Sequence, residues 1–410
     1  RDPAPHTAAQ GADDDAAPAS GRGRGRRPVE ASIDLPPGLP IGYHRIMLSS
    51  IEPAQTLAQA DLVVCPPRCH EPATAEQPFP RLWGPAVQLY ALRSPRNWGI
   101  GDFGDLRRLV DIAADAGADF VGVNPLHALF PHAPERASPY SPSSRQWLNV
   151  LYLDVEAMAD FGECEAALRL VASADWRERL QALREAPLVD HGGVARAKLE
   201  VLHLLYRSFR ERHLLRGTRR AARFRAFQQQ HGRSLRVHAL HDALQARFHR
   251  ADPEVWGWPV WPAEYRSVDG VAVRAFARRH EDEVEFHEYL QWQAERQLYA
   301  VQAQARARGM RIGLYCDLAV GVHPGGSETW ARPAAHAREV HVGAPPDELS
   351  PCGQDWGFPP LVPRRLREYG FEPVIEVLRA NMRHAGALRI DHVMGCCAWC
   401  AWKASATAAR

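Results

Sequence analysis

Two aspartates and one arginine could carry chemistry in this chain, and they lie at the ends of apolar segments. Asp317 follows the segment 312–316, and Asp391 follows Leu388-Arg389-Ile390. Residues two apart along a strand face the same side, so we expect Arg389 and Asp391 to lie together. A guanidinium favours the ionised form of a neighbouring carboxylate, which suits a nucleophile or an electrostatic stabiliser. An Arg-Asp pair that only ends a strand is the alternative.

Two loop segments combine aromatic rings with hydroxyl or amide groups. One is Ser138-Pro139-Tyr140-Ser141-Pro142, and the other, Gly353 to Pro360, contains Gln354 and Trp356. Sugars are bound in this way, because a pyranose offers both apolar faces and hydroxyls. The 12 tryptophans of the chain agree with sugar binding. For Trp256, Trp258 and Trp261, an apolar anchor between a helical segment and the rest of the chain is the better explanation.

Other candidate ligands give weaker patterns. Four histidines lie in candidate loops: His127, His132, His323 and His392. Of these we expect His392, next to Asp391, to touch substrate. The eight cysteines are too sparse for a disulfide framework in 410 residues, so we expect reduced thiols. Cys397 and Cys400 form a C-x-x-C without a second pair at zinc-ribbon spacing, and we predict no metal site there.

Alternating strands and helices must position these residues. Apolar segments predict strands at 87–92, 120–125, 310–316 and 387–390, with 151–153 as an auxiliary strand. An amphipathic helix is predicted over Asp105 to Ala116, ended by Gly117. Such β-α-β alternation implies a parallel sheet, in which catalytic groups follow the carboxyl ends of strands. Residues 160–308 have helical spacing throughout and predict a large helical insertion, with helices at 195–212 and 282–308.

The glycine-rich loop before the first helix does not fit a dinucleotide site. Gly99, Gly101 and Gly104 lack the G-x-G-x-x-G spacing, and acidic side chains beside them would repel a pyrophosphate. We expect a tight turn instead, with Asp102 or Asp105 capping the helix.

Composition excludes several classes of protein. With 50 basic and 48 acidic side chains and 46% hydrophobic residues, the chain is neither disordered throughout nor strongly charged. Near-neutral charge gives no reason to expect nucleic acid as a partner. No segment has the apolar length of a membrane helix or the apolar core of a signal peptide, so we expect a cytoplasmic protein. Residues 1–30 have little to bury and should be disordered, whereas alternation at 43–48 and 61–65 predicts a small β-domain.

Several segments together resemble the amylomaltase family of bacterial 4-α-glucanotransferases, the disproportionating enzymes. They span residues 82–395, and Gly42-Tyr43-His44 resembles the β-domain that precedes the barrel in one branch of the family. The matching segments are Asn97 to Leu106, Ser138 to Ser144, Asp317 to Val322, Gly343 to Asp347, Gly353 to Gly357 and Gly386 to His392.

The resemblance implies an α/β protein of the (β/α)8 TIM-barrel type and a retaining transfer of α-1,4-glucan segments between maltooligosaccharides. Asp391 matches the nucleophile and Arg389 the residue that keeps it ionised. Positions in the substrate cleft are matched by Ser138, Tyr140, Asp317, Gln354, Trp356 and His392. The resemblance implies α-1,4-glucans and maltooligosaccharides as partners, without nucleic acid or membrane, and it implies no metal and no organic cofactor.

The sequence departs from the family pattern in three places. Cys316 stands where glycine or arginine is expected, and His323 where an acidic residue is usual. Neither change should abolish chemistry. The family's acid/base glutamate and a third carboxylate lie beyond the nucleophile, but no glutamate follows Asp391 here. Retaining chemistry needs two carboxyl groups roughly 5 to 5.5 Å apart, so we expect an incomplete barrel and an inactive chain.

This comparison gives a domain division and two alternative functions. We expect a disordered tail at 1–30, a partial β-domain with a linker at 31–80, the first part of the catalytic barrel at 81–395, and an out-of-frame segment at 396–410. The chain is then a fragment of a 4-α-glucanotransferase. The alternatives are a catalytically dead remnant that binds α-glucan weakly, and an α-glucan hydrolase on a related barrel.

Overall fold

The computed structural model describes residues 32–68, 81–392 and 400–403. The chain divides into two compact units, Arg1–Glu71 and Pro72–Arg410. The segment predicted to be disordered, 1–30, lies outside the described residues, as does Cys397 of the C-x-x-C pair. Within the described ranges, no helix is long and apolar enough to cross a membrane.

The first unit contains an antiparallel hairpin of strands β1 (Gly42–Ser50) and β2 (Gln55–Val64). The pairing runs from Gly42 opposite Val64 to Ser50 opposite Gln55, with an irregularity after Leu48. Residues 43–48 lie within β1 and residues 61–64 within β2, so strands are confirmed at both predicted segments.

The second unit contains the remaining elements. In chain order they are β3 (Ala86–Val87), α1 (Phe103–Asp115), β4 (Phe120–Val123), β5 (His127–Ala128), β6 (Ser144–Leu148), α2 (Ala159–Glu163), α3 (Glu165–Ala172), α4 (Ala174–Glu185), α5 (His191–Phe209), α6 (Arg219–Ala251), α7 (Val271–Arg279), α8 (Glu281–Ala307), β7 (Gly313–Leu318), α9 (Ser327–Ala331), β8 (Val340–Ala344), β9 (Gln354–Asp355), α10 (Pro363–Glu368), α11 (Glu372–Met382), β10 (Ala387–Ile390) and β11 (Cys400–Lys403).

Four parallel strands form the sheet that positions the site. Their order is β3-β4-β7-β10, so these four strands follow one another across the sheet in chain order. Val123 of β4 pairs with Cys316 of β7, and Leu388 of β10 pairs with the same cysteine from the other side. Helix α1 covers β4, and α11 leads into β10. The four predicted core strands are thus confirmed, in the order that a (β/α)8 barrel requires.

Two strand predictions differ from the structure. The first strand ends at Val87, and Leu89–Ala91 form a 3-10 turn because the Leu89 amide donates to Asn124 Oδ1 at 2.7 Å. The auxiliary strand at 151–153 is wrong, since Val150–Tyr152 also form a 3-10 helix. The Asn149 side chain accepts from the Leu151 amide at 3.1 Å and so begins a helical turn. Short apolar runs do not distinguish buried strands from buried turns.

Helix α1 begins with the turn that was predicted instead of a dinucleotide loop. Asp102 Oδ1 accepts from the amides of Gly104 and Asp105, and Asp105 Oδ2 accepts from the Asp102 amide. This reciprocal pair is a capping box. Gly117 follows the helix with φ 80°, a conformation that favours glycine.

Helices α2 to α8 form the predicted insertion, from Ala159 to Ala307. The predicted helix at 195–212 corresponds to α5 and a π-helical turn at Arg210–Leu214, and that at 282–308 corresponds to α8. Lys198 is fully buried and donates to the carbonyls of Leu151 and Leu153 at 2.8 and 2.7 Å, which ties α5 to the barrel side. Trp258 and Trp261 lie with Trp330 in a second apolar core, as expected of an anchor.

Candidate active site

Arg389 joins the two candidate aspartates. It lies opposite Asp317 in the β7-β10 pair, and its Nη1 contacts both Asp317 carboxylate oxygens at 3.0 Å. Its Nη2 donates to Asp391 Oδ2 at 2.7 Å. Asp317 is the second-to-last residue of β7, whereas Asp391 comes directly after β10. The structure therefore brings together the three residues that the sequence selected, through a single guanidinium.

The surroundings favour an ionised Asp391. Partial burial alone would raise the pKa of Asp391, but the backbone N–H of His392 and the charges of His392 and Arg389 outweigh it and hold the pKa below its usual value. Burial raises the pKa of Asp317, although the charge and hydrogen bonds of Arg389 oppose this effect. The charge of Asp317 in turn raises the pKa of Arg389, which is therefore a permanent cation between the two acids.

His392 and Trp356 form an aromatic wall beside Asp391. The His392 ring lies 4.8 Å from the Trp356 ring, centroid to centroid, and its backbone amide donates to Asp391 Oδ1 at 2.9 Å. His392 has φ 48°, an uncommon conformation for a residue other than glycine and one found in functional loops. Trp356 Nε1 donates to Gln354 Oε1 at 2.9 Å, which places Gln354 behind the indole.

A cavity of about 490 Å³ opens at Asp391. We call it the Asp391 cavity. It is lined by Ser138, Tyr140, Ser141, Asp317, Leu318, Val320, Trp356, Phe358, Arg389, Asp391 and His392. Five of the six predicted cleft residues are among them. The sixth, Gln354, contacts Trp356 instead. The mixture of carboxylates, hydroxyls and aromatic rings suits a carbohydrate.

Some residues that hold the loops of the site in place were not predicted from the sequence. His341 Nδ1 lies 3.0 Å from Asp355 Oδ2, and Asp355 Oδ1 accepts from the Gly357 amide at 2.8 Å. These contacts hold the β8-β9 hairpin that carries Trp356. Gly321 packs against Phe358 so closely that an added Cβ would lie 2.1 Å from Phe358 Cδ2. Pairings between distant loops are not visible in a one-dimensional pattern.

The other candidate histidines do not line the Asp391 cavity. His127 accepts from the Ala319 amide at 3.1 Å, and burial lowers its pKa to about 3. Burial also lowers the pKa values of His132 and His323 to about 4. Cys316 is buried in the main apolar core, which raises the pKa of its thiol to about 12 and makes it unreactive.

One group of residues in the described part of the chain has the types and spacing for a metal ion. Asp160, Glu163 and His213 lie in the insertion, with one ligand atom of each within 4.8 Å of the others. Arg220 contacts the carboxylates of both Asp160 and Glu163, so their charge is already balanced by a fixed cation. None of the three residues lines the Asp391 cavity.

The sequence matches two family models. Residues 87–410 match the model described as 4-alpha-glucanotransferase, and residues 6–66 match that of the MalQ N-terminal beta sandwich domain. A 4-alpha-glucanotransferase of Haemophilus influenzae is 38% identical over 366 residues, which cover 88% of this chain and 52% of the relative. One of Mycobacterium bovis is 39% identical over 388 residues, with 90% and 50% covered. The chain thus spans about half the length of the curated relatives it matches.

Solved structures agree with this assignment. The crystal structure of amylomaltase from Corynebacterium glutamicum superposes with a TM-score of 0.71 at 32% identity, over 90% of this chain and 48% of that chain. Amylomaltase from Streptococcus agalactiae, solved in complex with acarbose, gives a TM-score of 0.64 at 20% identity, over 78% and 61%, a likeness of fold. The predicted (β/α)8 fold class and family are confirmed. The chain belongs to the 4-alpha-glucanotransferase, or amylomaltase, family of hexosyltransferases.

Proposed function

We propose that the Asp391 cavity is the nucleophile side of a retaining site for α-1,4-glucan transfer. The observation that carries this proposal is the bridge made by Arg389 between Asp317 and Asp391 at the carboxyl edge of the sheet. The bridge favours the charged form of the Asp391 carboxylate, whose Oδ1 accepts from the His392 amide, and Asp391 lines the cavity. Asp391 is accordingly assigned as nucleophile and Arg389 as the residue that keeps it ionised.

The role of Asp391 follows from the chemistry of retaining transfer. A carboxylate oxygen of Asp391 forms a bond to the anomeric carbon while the bond to the glycosidic oxygen breaks, and the departing oxygen takes a proton from an acid. The 4-hydroxyl of an acceptor sugar then attacks the same carbon, gives up its proton to the conjugate base, and releases Asp391. Transfer to water instead would be hydrolysis.

Ring and hydroxyl contacts support α-glucan as the ligand. Tyr140 is half exposed in the cavity wall and offers an apolar face to a pyranose, and Trp356 and His392 line the same cavity. Ser138 and Asp317 supply hydrogen-bonding groups, and Gln354 orients the indole of Trp356. We therefore infer that maltooligosaccharides occupy this cavity. The sparse cysteines support a cytoplasmic location for this activity.

The same cavity supports binding without turnover for this 410-residue chain. Among the described residues, Asp317 and Asp391 are the carboxylates that line it, and Arg389 holds both. Asp317 accepts from the guanidinium at both oxygens, a geometry that needs the charged form. No carboxyl group in the described cavity is thus placed to protonate the leaving oxygen, a function that contributes on the order of 10² to 10⁴-fold.

The test has two parts. Binding of maltoheptaose to the chain is measured by calorimetry, and the chain is then incubated with maltotriose while products and reducing ends are counted. We expect binding and no products. Glucose together with longer oligosaccharides at a constant number of reducing ends would show transfer by this chain. An increase in reducing ends would indicate hydrolysis instead. Absence of binding by the folded chain would contradict the proposed site.

A further inference from the structure

Trp256 of the insertion contacts three side chains that come from two other segments of the chain. The Arg136 guanidinium carbon is 3.0 Å from the centroid of the Trp256 ring. The rings of His323 and Phe130 lie 4.8 and 6.0 Å from it, both edge-on. Phe130 and His323 also contact each other at 5.3 Å. We call Phe130, Arg136, Trp256 and His323 the Trp256 cluster.

Two of these residues belong to the loop that carries Tyr140. This loop, residues 129–143, connects β5 to β6 and contains both Phe130 and Arg136. From Pro142 onward the loop is hydrogen-bonded to the segment after β7, but up to Ser141 its backbone hydrogen bonds are short-range turns, such as Arg136 to the Ala133 carbonyl and Ser141 to the Ser138 carbonyl, at 3.0 and 3.2 Å. Such a loop depends on side-chain packing for a fixed position, because its backbone is not part of a ladder.

The cluster also reaches the segment that follows Asp317. His323 lies six residues after Asp317, and its amide donates to the Pro142 carbonyl at 2.8 Å. Next to it, Gly257 and Gly325 meet so closely that a Cβ on either would lie 3.1 Å from the other's Cα. The insertion therefore contacts both the Tyr140 loop and the segment after β7 around Trp256, and it meets the loop again where the His132 and His287 rings lie 5.5 Å apart.

We infer that Trp256 is a positioning residue, which holds the Tyr140 loop at the wall of the Asp391 cavity. Arg136 Nε is buried without a hydrogen bond, and the guanidinium lies over the indole face, so this ring is a main contact of the side chain. Trp256 itself lines no part of the Asp391 cavity. The expected effect of Trp256 on ligand affinity acts through Tyr140, and this part of the inference rests on the proposed function.

The experiment compares the chain with Trp256→Ala and Trp256→Phe. Hydrogen exchange by mass spectrometry reports on residues 129–143, and calorimetry gives the affinity for maltoheptaose. We expect the Ala variant to exchange faster in this loop and to bind about tenfold more weakly, the loss expected of one desolvated cation-ring contact and its packing. The Phe variant should recover most of both, because it keeps a ring for Arg136. Trp83→Ala, at a half-exposed tryptophan outside the cluster, is the matched control and should change neither.

The outcomes separate the inference from the proposed function. Unchanged exchange of residues 129–143 in Trp256→Ala would overturn the positioning role, whatever the affinity. If Trp256→Ala exchanges faster in this loop but the parent chain binds no maltoheptaose, the positioning role is supported and the proposed function is contradicted. Should Trp256→Ala fail to fold, Arg136→Gln removes the cation from the same contact, and its loop exchange and affinity serve for the same comparison.

Discussion

Asp317 and Arg389 lie opposite each other across the β7-β10 pair, and one nitrogen of the guanidinium contacts both carboxylate oxygens at 3.0 Å. The guanidinium is planar, so the contacts of its two terminal nitrogens, one with each aspartate, restrict its orientation. The second terminal nitrogen then points at Asp391 Oδ2, 2.7 Å away. The orientation of the proposed nucleophile is thus set from the neighbouring strand.

Replacing Arg389 by alanine should destabilise the fold and weaken ligand binding. The change leaves Asp317, whose side chain is 11% exposed, without its cation. A charged group left unpaired in such a site costs about 1 to 3 kcal/mol, and loss of the charge beside Asp391 should raise the pKa of that carboxyl. Urea unfolding gives the free energy. The matched control is Arg364→Ala, where the arginine is 88% exposed and pairs with Glu368 on the surface. An effect no larger than that control would contradict the bridge.

Removal of the Tyr140 ring should lower affinity without lowering stability. Half of the tyrosine is exposed in the cavity wall, so Tyr140→Ala removes a platform for a sugar ring and little core packing. We expect affinity for maltoheptaose to fall by roughly 3 to 10-fold, the range of an aromatic contact worth about 0.5 to 1.5 kcal/mol. Tyr140→Phe should bind nearly as well as the parent if stacking dominates. Calorimetry is the measurement, with Tyr299→Ala as a control at another exposed tyrosine. Equal affinities for the parent and Tyr140→Ala would remove Tyr140 from the binding site.

Gly321→Ala should disturb the cavity through Phe358. The added methyl carbon would lie 2.1 Å from Phe358 Cδ2, so the ring has to move. Overpacking of this kind costs about 1 to 3 kcal/mol, and Phe358 lines the Asp391 cavity. We expect a lower melting temperature and weaker maltoheptaose binding. Gly162→Ala is the matched control, since a Cβ there meets nothing within 4 Å. A melting temperature equal to that of the control would show that the ring has room to shift.

Acid should destabilise the chain through its buried histidines. Burial, helped by the charge of Arg145, lowers the pKa of His127 from 6.5 to about 3. Below about pH 6.5 the His127 imidazole binds a proton in the unfolded chain, whereas in the folded chain it stays neutral until the pH nears 3. The free energy of unfolding therefore decreases as the pH falls from 6.5 toward 3. One such group gives a slope of at most about 1.4 kcal/mol per pH unit.

The variant His127→Gln tests the slope. Urea unfolding between pH 7 and pH 4 should show a shallower loss of stability than in the parent, because one proton-binding difference is gone. Other buried histidines, such as His287, whose burial lowers its pKa to about 3, will keep part of the slope. His280→Gln, at a surface contact with Glu283, is the control. Identical slopes in the parent and His127→Gln would exclude His127 as a contributor.

Local sequence patterns predicted most of the helices and strands and one pair of residues in the site, Arg389 and Asp391. The period of a strand placed Arg389 beside Asp391, and the spacing of Asp102 and Asp105 predicted the cap of α1, because both depend on residues two or three apart. The contact of Arg389 with Asp317 joins residues 72 apart and depends on the register of β7 against β10, which no local pattern fixes. The contacts of Trp256 in its cluster and the His341-Asp355 pair also join residues at least 14 apart in sequence, beyond the range of a local pattern. The interpretation of 396–410 as out of frame stays a prediction, with β11 pairing antiparallel to β8 within that segment.

Strands β4 and β7 are adjacent in the sheet, yet the whole helical insertion lies between them in sequence. The free energy of closing a loop rises only with the logarithm of its length, so each doubling adds about 0.6 kcal/mol. The amides of Ile312 and Gly313 both donate to the Asp119 carbonyl, at 3.0 and 3.1 Å. These two hydrogen bonds join the chain where β4 and β7 begin. Added length in the loops of the insertion should therefore cost the sheet little, whereas α8 must keep its place, because Gln302 Oε1 accepts from the Leu314 amide of β7 at 2.7 Å.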